Sequence, residues 1–207
     1  MITVKLYTLQ HLLVILSYDA EKTSLLKKFP NTLAVHTTST PVEVEKMVTE
    51  PIIIMEATVD DVPFLKAMIW EAILASPHFV DRHSVETLQR LEEEYWSRWV
   101  EQPDPAFVAL DVSGQKLGAI TVKPIEEDEP VQGWRIGIAV VPQARGHGVG
   151  QRLLERAIAF ARDKKAHYVN LFVDPANRRA IALYHRVGFV EVDEVDQIIE
   201  MCVDLTQ

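Results

Sequence analysis

The chain has 207 residues, with 30 acidic side chains against 21 Lys and Arg and a formal net charge of −9. With 48% apolar and 25% charged residues, it has a globular composition, which excludes a disordered or collagen-like chain. The acidic balance argues against nucleic acid as the main partner. The single Cys202 excludes a disulfide framework and a cysteine-cluster zinc site.

No apolar run approaches the roughly 18 residues of a membrane span, so no membrane association is expected. Residues 12–16 are apolar with Lys5 upstream. Gln10 and His11 interrupt that stretch, and no small-x-small cleavage site follows. The expectation is therefore a buried strand in a cytoplasmic protein, not a signal peptide. Residues 1–50 read as a short βαβα-like extension: strand 11–17, helix 20–29, strand 32–36 and helix 42–48. Fifty residues rarely bury enough surface to fold alone. This segment is expected to dock on the rest, to be poorly ordered, or to reflect a misassigned start.

From Pro51 the pattern becomes regular. A strand is predicted at 52–55. Thr58, Asp60 and Asp61 then offer cap oxygens and negative charge to a helix start. That helix carries Phe64, Leu65, Met68, Ile69 and Ile73 on one face and stops near Pro77. A second helix is predicted at 84–100, with Leu88, Leu91, Tyr95 and Trp99 as a core-packing stripe. Strands 106–112 and 116–122 flank Ser113-Gly114-Gln115, a hairpin signal. Glu126 to Glu129 form an acidic loop, either simply solvated or attracting a cationic amine.

Strand 134–141 alternates Ile136, Ile138 and Val140. Helix 148–165 turns Val149, Leu153, Ala157, Ile158 and Ala161 inward and Arg152, Glu155, Arg156 and Arg162 outward. Strand 167–173, helix 177–187 and strands 189–192 and 197–203 complete the chain. The order βααβββαβαββ argues an α/β fold with a mixed sheet flanked by helices.

Three of the eight glycines fall in Arg145-Gly146-His147-Gly148-Val149-Gly150, between a predicted strand and a predicted amphipathic helix. Without side chains the backbone can turn sharply and point successive N–H groups outward. With the helix N-terminus behind them, those groups form an anion site suited to a diphosphate. A plain tight turn would need only one Gly. A P-loop is excluded because Gly-Lys-Ser/Thr is missing. The Gly-x-G-x-Gly spacing also fits a dinucleotide fingerprint poorly, although Asp174 lies near the acidic position.

Ile138-Ala139-Val140-Val141-Pro142, Arg145-x-x-Gly148-x-Gly150 and Asn177-x-x-Ala180-x-x-Leu183-Tyr184-x-x-x-Gly188-Phe189 together resemble the GNAT N-acetyltransferase superfamily over residues 51–207. Residues 68–72 resemble, more weakly, the first helix of one of its subgroups. The resemblance implies a mixed, mostly antiparallel central sheet and acetyl-CoA as acyl donor. It implies that residues Arg145, Gly146, His147, Gly148, Val149 and Gly150 wrap the donor's diphosphate through backbone N–H groups. It also implies that Ile138, Ala139, Val140 and Val141 lie on a strand splayed from its neighbour, pairing with the pantetheine arm like an added strand. An N–H near Val140 would then face the developing oxyanion.

Asn177 would contact the donor arm, and its position equally suits a helix N-cap. Tyr184 would protonate the departing thiolate, although periodicity alone makes it a core residue. The acidic base found in some members is missing: its places hold Ile136, Gly137 and Phe172. Glu71, Asp174 or a water chain remain candidates. Arg178 and Arg179 read first as exposed helix charge that could also reach a phosphate. Cys202 reads as a small buried hydrophobe. No His clustering suggests a metal.

The expected activity is acetyl transfer to a primary amine, on a small molecule or peptide, by direct attack. The alternatives are a catalytically silent acyl-CoA-binding regulatory module and, less favoured on spacing, a dinucleotide oxidoreductase. Homodimers are common in the family, and nothing in this sequence points to one.

Overall fold

The computed structural model describes residues 51–74, 76, six positions between 90 and 101, 103–125, 132–195 and 197–206. The expected extension at 1–50, the acidic run 126–129, and Leu88, Leu91 and Tyr95 lie outside the described residues. Strands β1 (Ile53–Glu56), β2 (Ala106–Leu110), β3 (Lys116–Pro124), β4 (Gly133–Val140), β5 (Tyr168–Val173), β6 (Val190–Val195) and β7 (Ile198–Asp204) form one sheet, ordered β1-β2-β3-β4-β5-β7-β6. Helices α1 (Val62–Leu74), α2 (Val149–Asp163) and α3 (Arg178–Val187) flank it. Every neighbouring pair is antiparallel except β4–β5. That parallel pair needs a crossover, and α2 supplies it.

The two faces of the sheet follow from strand alternation. On one face α1 brings Leu65, Met68, Ile69 and Ala72 against Ala119, Thr121, Gly137 and Ala139. On the other, α2 packs over β2, β3 and β4. Its Val149, Leu153, Leu154, Ala157, Ile158 and Ala161 are all buried, matching the predicted stripe with Leu154 added. Arg156, expected to face outward, is half-buried instead, with its guanidinium 4.1 Å from the centroid of the fully buried Phe107 ring. The flat cation covers the Phe107 ring on β2 while the side chain stays partly hydrated. Leu153 is 0% exposed. Leu153→Ala is expected to cost about 2–5 kcal/mol in chemical denaturation through the cavity it opens.

Strand ends deviate from the predicted ones for local reasons. β2 stops at Leu110 because the Asp111 carboxylate accepts from the backbone N–H groups of Ser113 and Gln115, both at 2.8 Å. Partial burial pushes this carboxyl up in pKa. The hydrogen bonds from Ser113, Gln115 and Gly114 outweigh that and hold it below the ordinary value. Phe189, expected in a strand, belongs to the end of α3, so β6 begins at Val190. Thr58 and Asp61 form a reciprocal capping box around the short 3-10 turn Val59–Asp61 that leads into α1. Of the predicted second helix, the described positions 90, 93, 96, 97, 99 and 101 are helical. Trp96 and Trp99 are buried there with ring centroids 5.7 Å apart.

One feature of the sheet prepares the site. β4 and β5 are in register only at Gly133↔Tyr168, Trp134↔Val169 and Arg135↔Asn170. β4 stays paired with β3 as far as Val140↔Gly118, and β5 with β7 as far as Val173↔Ile199. Beyond Arg135 the sheet therefore parts into a wedge between two strands that are each held from behind.

Candidate functional site

The register fixes what lines this wedge. The Val141 N–H donates to Leu117 O and the Ile125 N–H to Gly133 O, so the odd-numbered residues of β4 bond to β3. The N–H and C=O groups of Ile138 and Val140 consequently point away from β3, into the opening. Their side chains border a cavity of about 370 Å³ together with Gly148, Gly150, Ala180 and Leu183. The cavity continues past Ala144, Arg145 and Gly146 and is edged by Gln151, Ala182, Arg179 and Arg186.

The glycine turn is built for close approach. Gly146 and Gly148 adopt φ of +87° and +82°, the left-handed region that L side chains rarely enter. A Cβ at Gly150 would lie 3.0 Å from Leu183 Cδ2, so this glycine lets α3 close against α2 on the cavity wall. Gly148 is the N-cap of α2 and has no side chain to cap the helix. The first N–H groups of α2 have no intrahelical acceptor and lie at the positive end of its dipole. Arg179, whose Nη2 lies 2.8 Å from where a Gly146 Cβ would sit, and Arg186 edge the same cavity, a lining whose charge suits an anion.

The other predicted residues are distributed around it. Ala139 lies on the α1 face, and Val141 and Val149 are buried behind the turn. His147 is half-buried within the turn and does not line the cavity. Asn177 caps α3: its Oδ1 accepts from Ala180 N at 3.2 Å, and it is 2% exposed. Tyr184 sits two turns further on, 0% exposed, with no hydrogen-bond partner for its hydroxyl among the described residues. Burial pushes its phenol well above the ordinary tyrosine pKa. Its position is set by a Schellman end to α3. Gly188 at φ +101° donates to His185 O, Phe189 N donates to Tyr184 O, and the two rings meet edge-on at 5.9 Å.

The carboxylates singled out earlier are both engaged. Glu71 Oε1 is 2.6 Å from Arg145 Nη2. Asp174 is 0% exposed; it accepts from Ser76 Oγ at 3.0 Å and Ala176 N at 2.9 Å, tying the end of β5 to the segment after α1. Two features are not legible in the sequence: the Glu71–Arg145 pair and the presence of Arg186 at the cavity. Arg179 is exposed on α3, as expected, and also edges the cavity. Arg179 and Arg186 are seven positions apart, two helical turns, and that spacing was the available signal.

Cys202 is half-buried, not fully buried as expected. Burial, with Glu200 and Asp204 nearby, pushes its thiol up to about 11. Iodoacetamide at pH 8 is expected to alkylate it more than about tenfold slower than an ordinary thiol of pKa about 8.5, because so little thiolate is present. Mass spectrometry of timed quenches would check this. No helix among the described residues is long and apolar enough to cross a membrane. Among the described residues no group of three or more His, Cys, Asp or Glu is placed to hold a metal ion.

A sequence model of the acetyltransferase (GNAT) family matches residues 68–189. The mycothiol acetyltransferase of Arthrobacter sp. (strain FB24) is 33% identical over 135 residues, 63% of this chain and 42% of that protein. An N-terminal acetyltransferase complex ARD1 subunit homolog of Dictyostelium discoideum is 33% identical over 104 residues, 50% of this chain and 51% of that one. The chain thus spans half or less of the length of these relatives, to within one per cent. Among solved structures, the ribosomal-protein-alanine N-acetyltransferase of Brucella melitensis superposes with a TM-score of 0.59 at 25% identity, covering 74% of this chain and 99% of that one. The yncA protein of Salmonella typhimurium, described with acetyl-CoA as its cofactor, superposes at 0.61 with 20% identity, covering 76% and 95%. At that identity the likeness is one of fold.

Proposed function

Because the chain belongs to the acetyltransferase (GNAT) family, matched across residues 68–189, we propose that it moves an acetyl group from acetyl-CoA to a primary amine by direct attack. The observation that carries this reading is the meeting of two features: the β4–β5 wedge opens onto the glycine turn at the N-terminus of α2. An extended arm can pair with the outward groups of Ile138 and Val140 as a strand would. Its diphosphate would lie on the N–H groups from Gly146 to Gly150, within the cavity that Arg179 and Arg186 edge.

In this arrangement the amine lone pair attacks the thioester carbonyl, and the carbon–sulfur bond breaks as the new carbon–nitrogen bond forms. The Val140 N–H faces the oxygen on which negative charge develops. Tyr184 gives its proton to the departing sulfur. The amine loses its proton to water at the open mouth, since Glu71 and Asp174 are already held by other groups. Asn177 acts chiefly as the cap that fixes the start of α3. Mycothiol acetyltransferases and N-terminal acetyltransferases among the relatives support acceptors of two kinds, a small molecule or a peptide.

The test is calorimetric titration with acetyl-CoA, followed by measurement of CoA release with a panel of amines and peptides. Binding with amine-dependent release is expected. Absence of binding refutes the reading. Binding with no release under any amine would favour a silent acyl-CoA-binding module.

A further inference from the structure

The Arg145 guanidinium lines the donor cavity yet is committed elsewhere. Its Nε donates to Val140 O at 3.1 Å, and its Nη2 bonds Glu71 Oε1 at 2.6 Å. Both side chains are partly sheltered, at 17% and 21% exposure. The ion pair is charge-assisted and links residues 74 positions apart. It joins α1, the end of β4 and the first residue of the glycine turn through one planar group.

We infer that Glu71 is a positioning residue for acyl transfer: it holds Arg145 on the Val140 carbonyl and thereby fixes the end of β4. The argument rests on direction. The Val140 carbonyl points into the wedge, away from β3, and has no strand partner there among the described residues. A guanidinium beside an anion site is drawn to phosphate by a bidentate, charged interaction. Glu71 supplies the competing anion that keeps Arg145 at the strand end, while Arg179 and Arg186 face the cavity. With the carbonyl capped, the Val140 N–H on the same residue is held at a fixed angle. In the absence of Glu71, Arg145 is released toward the diphosphate, and the last residue of β4 loses its restraint on the open side. Acyl-donor binding is then preserved while alignment is lost.

This inference rests on the acetyl-transfer reading above, and the experiment separates the two. Native protein, Glu71→Gln, Arg145→Gln and the double variant are compared by acetyl-CoA calorimetry and by kcat with the best amine of the panel. Glu71→Gln is expected to keep acetyl-CoA affinity within about threefold of native, or to tighten it. Its kcat should fall about tenfold, the scale of a small misplacement of a reacting group. Arg145→Gln should reproduce the fall in kcat, and the double variant should be no slower than Arg145→Gln alone. The kcat–pH profile should keep its shape in all variants.

A kcat unchanged in Glu71→Gln, or defects that multiply in the double variant, overturn the inference and leave the acetyl-transfer reading standing. So does a profile that loses its acidic limb in Glu71→Gln alone, which would make Glu71 a general base. If Glu71→Gln fails to fold, Arg145→Gln with normal kcat is sufficient to overturn it. Native protein without amine-dependent CoA release removes both readings together.

Discussion

Gly148→Asp is expected to weaken acetyl-CoA binding by at least about 100-fold, roughly 3 kcal/mol on the affinity scale, while leaving the protein folded. The backbone at Gly148 sits at φ +82°, and a Cβ there would meet nothing within 4 Å. Nothing need move to admit the new Cβ. The left-handed conformation costs about 1–2 kcal/mol for an L residue and less for Asp, which tolerates it better than most. Part of that cost is offset, because Asp is a favoured N-cap and places a negative charge at the positive end of α2. The same carboxylate then competes with the diphosphate for those N–H groups and repels it. Stability and binding therefore move apart. Gly148→Ala separates the contributions: it carries the backbone strain without charge or acceptor and should lose about tenfold or less in affinity. Titration calorimetry with thermal melts reads all of this, and native-like affinity in Gly148→Asp would place the diphosphate elsewhere.

The same turn illustrates how much of the molecule is written locally. The glycines at 146 and 148 are visible in the sequence because glycine meets the left-handed backbone demand there, and that demand is local; Gly150 answers instead to the approach of Leu183 from α3. The Asn177 cap, the Gly188 stop and the amphipathic stripe of α2 are legible for the same reason: each depends on neighbours within a few positions. The Glu71–Arg145 pair is a different case. Nothing near Glu71 on α1 signals a partner 74 residues on. Only the packing of α1 across β4 brings the two together. Arg156 fails in a related way. A cation on the outward side of a helical wheel is ordinarily solvated, and its place over Phe107 is decided by where β2 ends up.

The wedge between β4 and β5 lies between these extremes. Family resemblance implied it, but no residue in either strand encodes it alone. Both strands read as ordinary apolar alternation, and each is well paired on its outer side. The parting is a property of the crossover. α2 leaves β4 after the turn 142–144 and returns to β5 only at residue 168, so pairing is made at one end of the two strands and lost at the other. The opening thus arises from topology, and the glycines mark where it leads.

Tyr184→Phe should make the protein more stable and slower, with acetyl-CoA affinity unchanged within about twofold. The hydroxyl is fully buried and lacks a hydrogen-bond partner among the described residues. An unsatisfied buried polar group costs about 1–3 kcal/mol, so its removal should raise the denaturation free energy by a similar amount. The ring remains to pack against Phe189, and the Schellman end of α3 is untouched because it is made by backbone groups. A buried hydroxyl that is not spent on a structural hydrogen bond among the described residues supports the proton-donor role proposed above. Burial also keeps the phenol protonated throughout the workable pH range, so it is always ready to give its proton and adds no alkaline limb of its own below its raised pKa.

General-acid assistance is worth about 10²–10⁴-fold, and thiolate is a fair leaving group unaided, so a kcat loss near the lower end, about 100-fold, is expected. Denaturation and single-turnover rates with the best amine would decide. If stability falls instead, the hydroxyl has a structural partner. If it rises while kcat is unchanged, the proton reaches sulfur by another route.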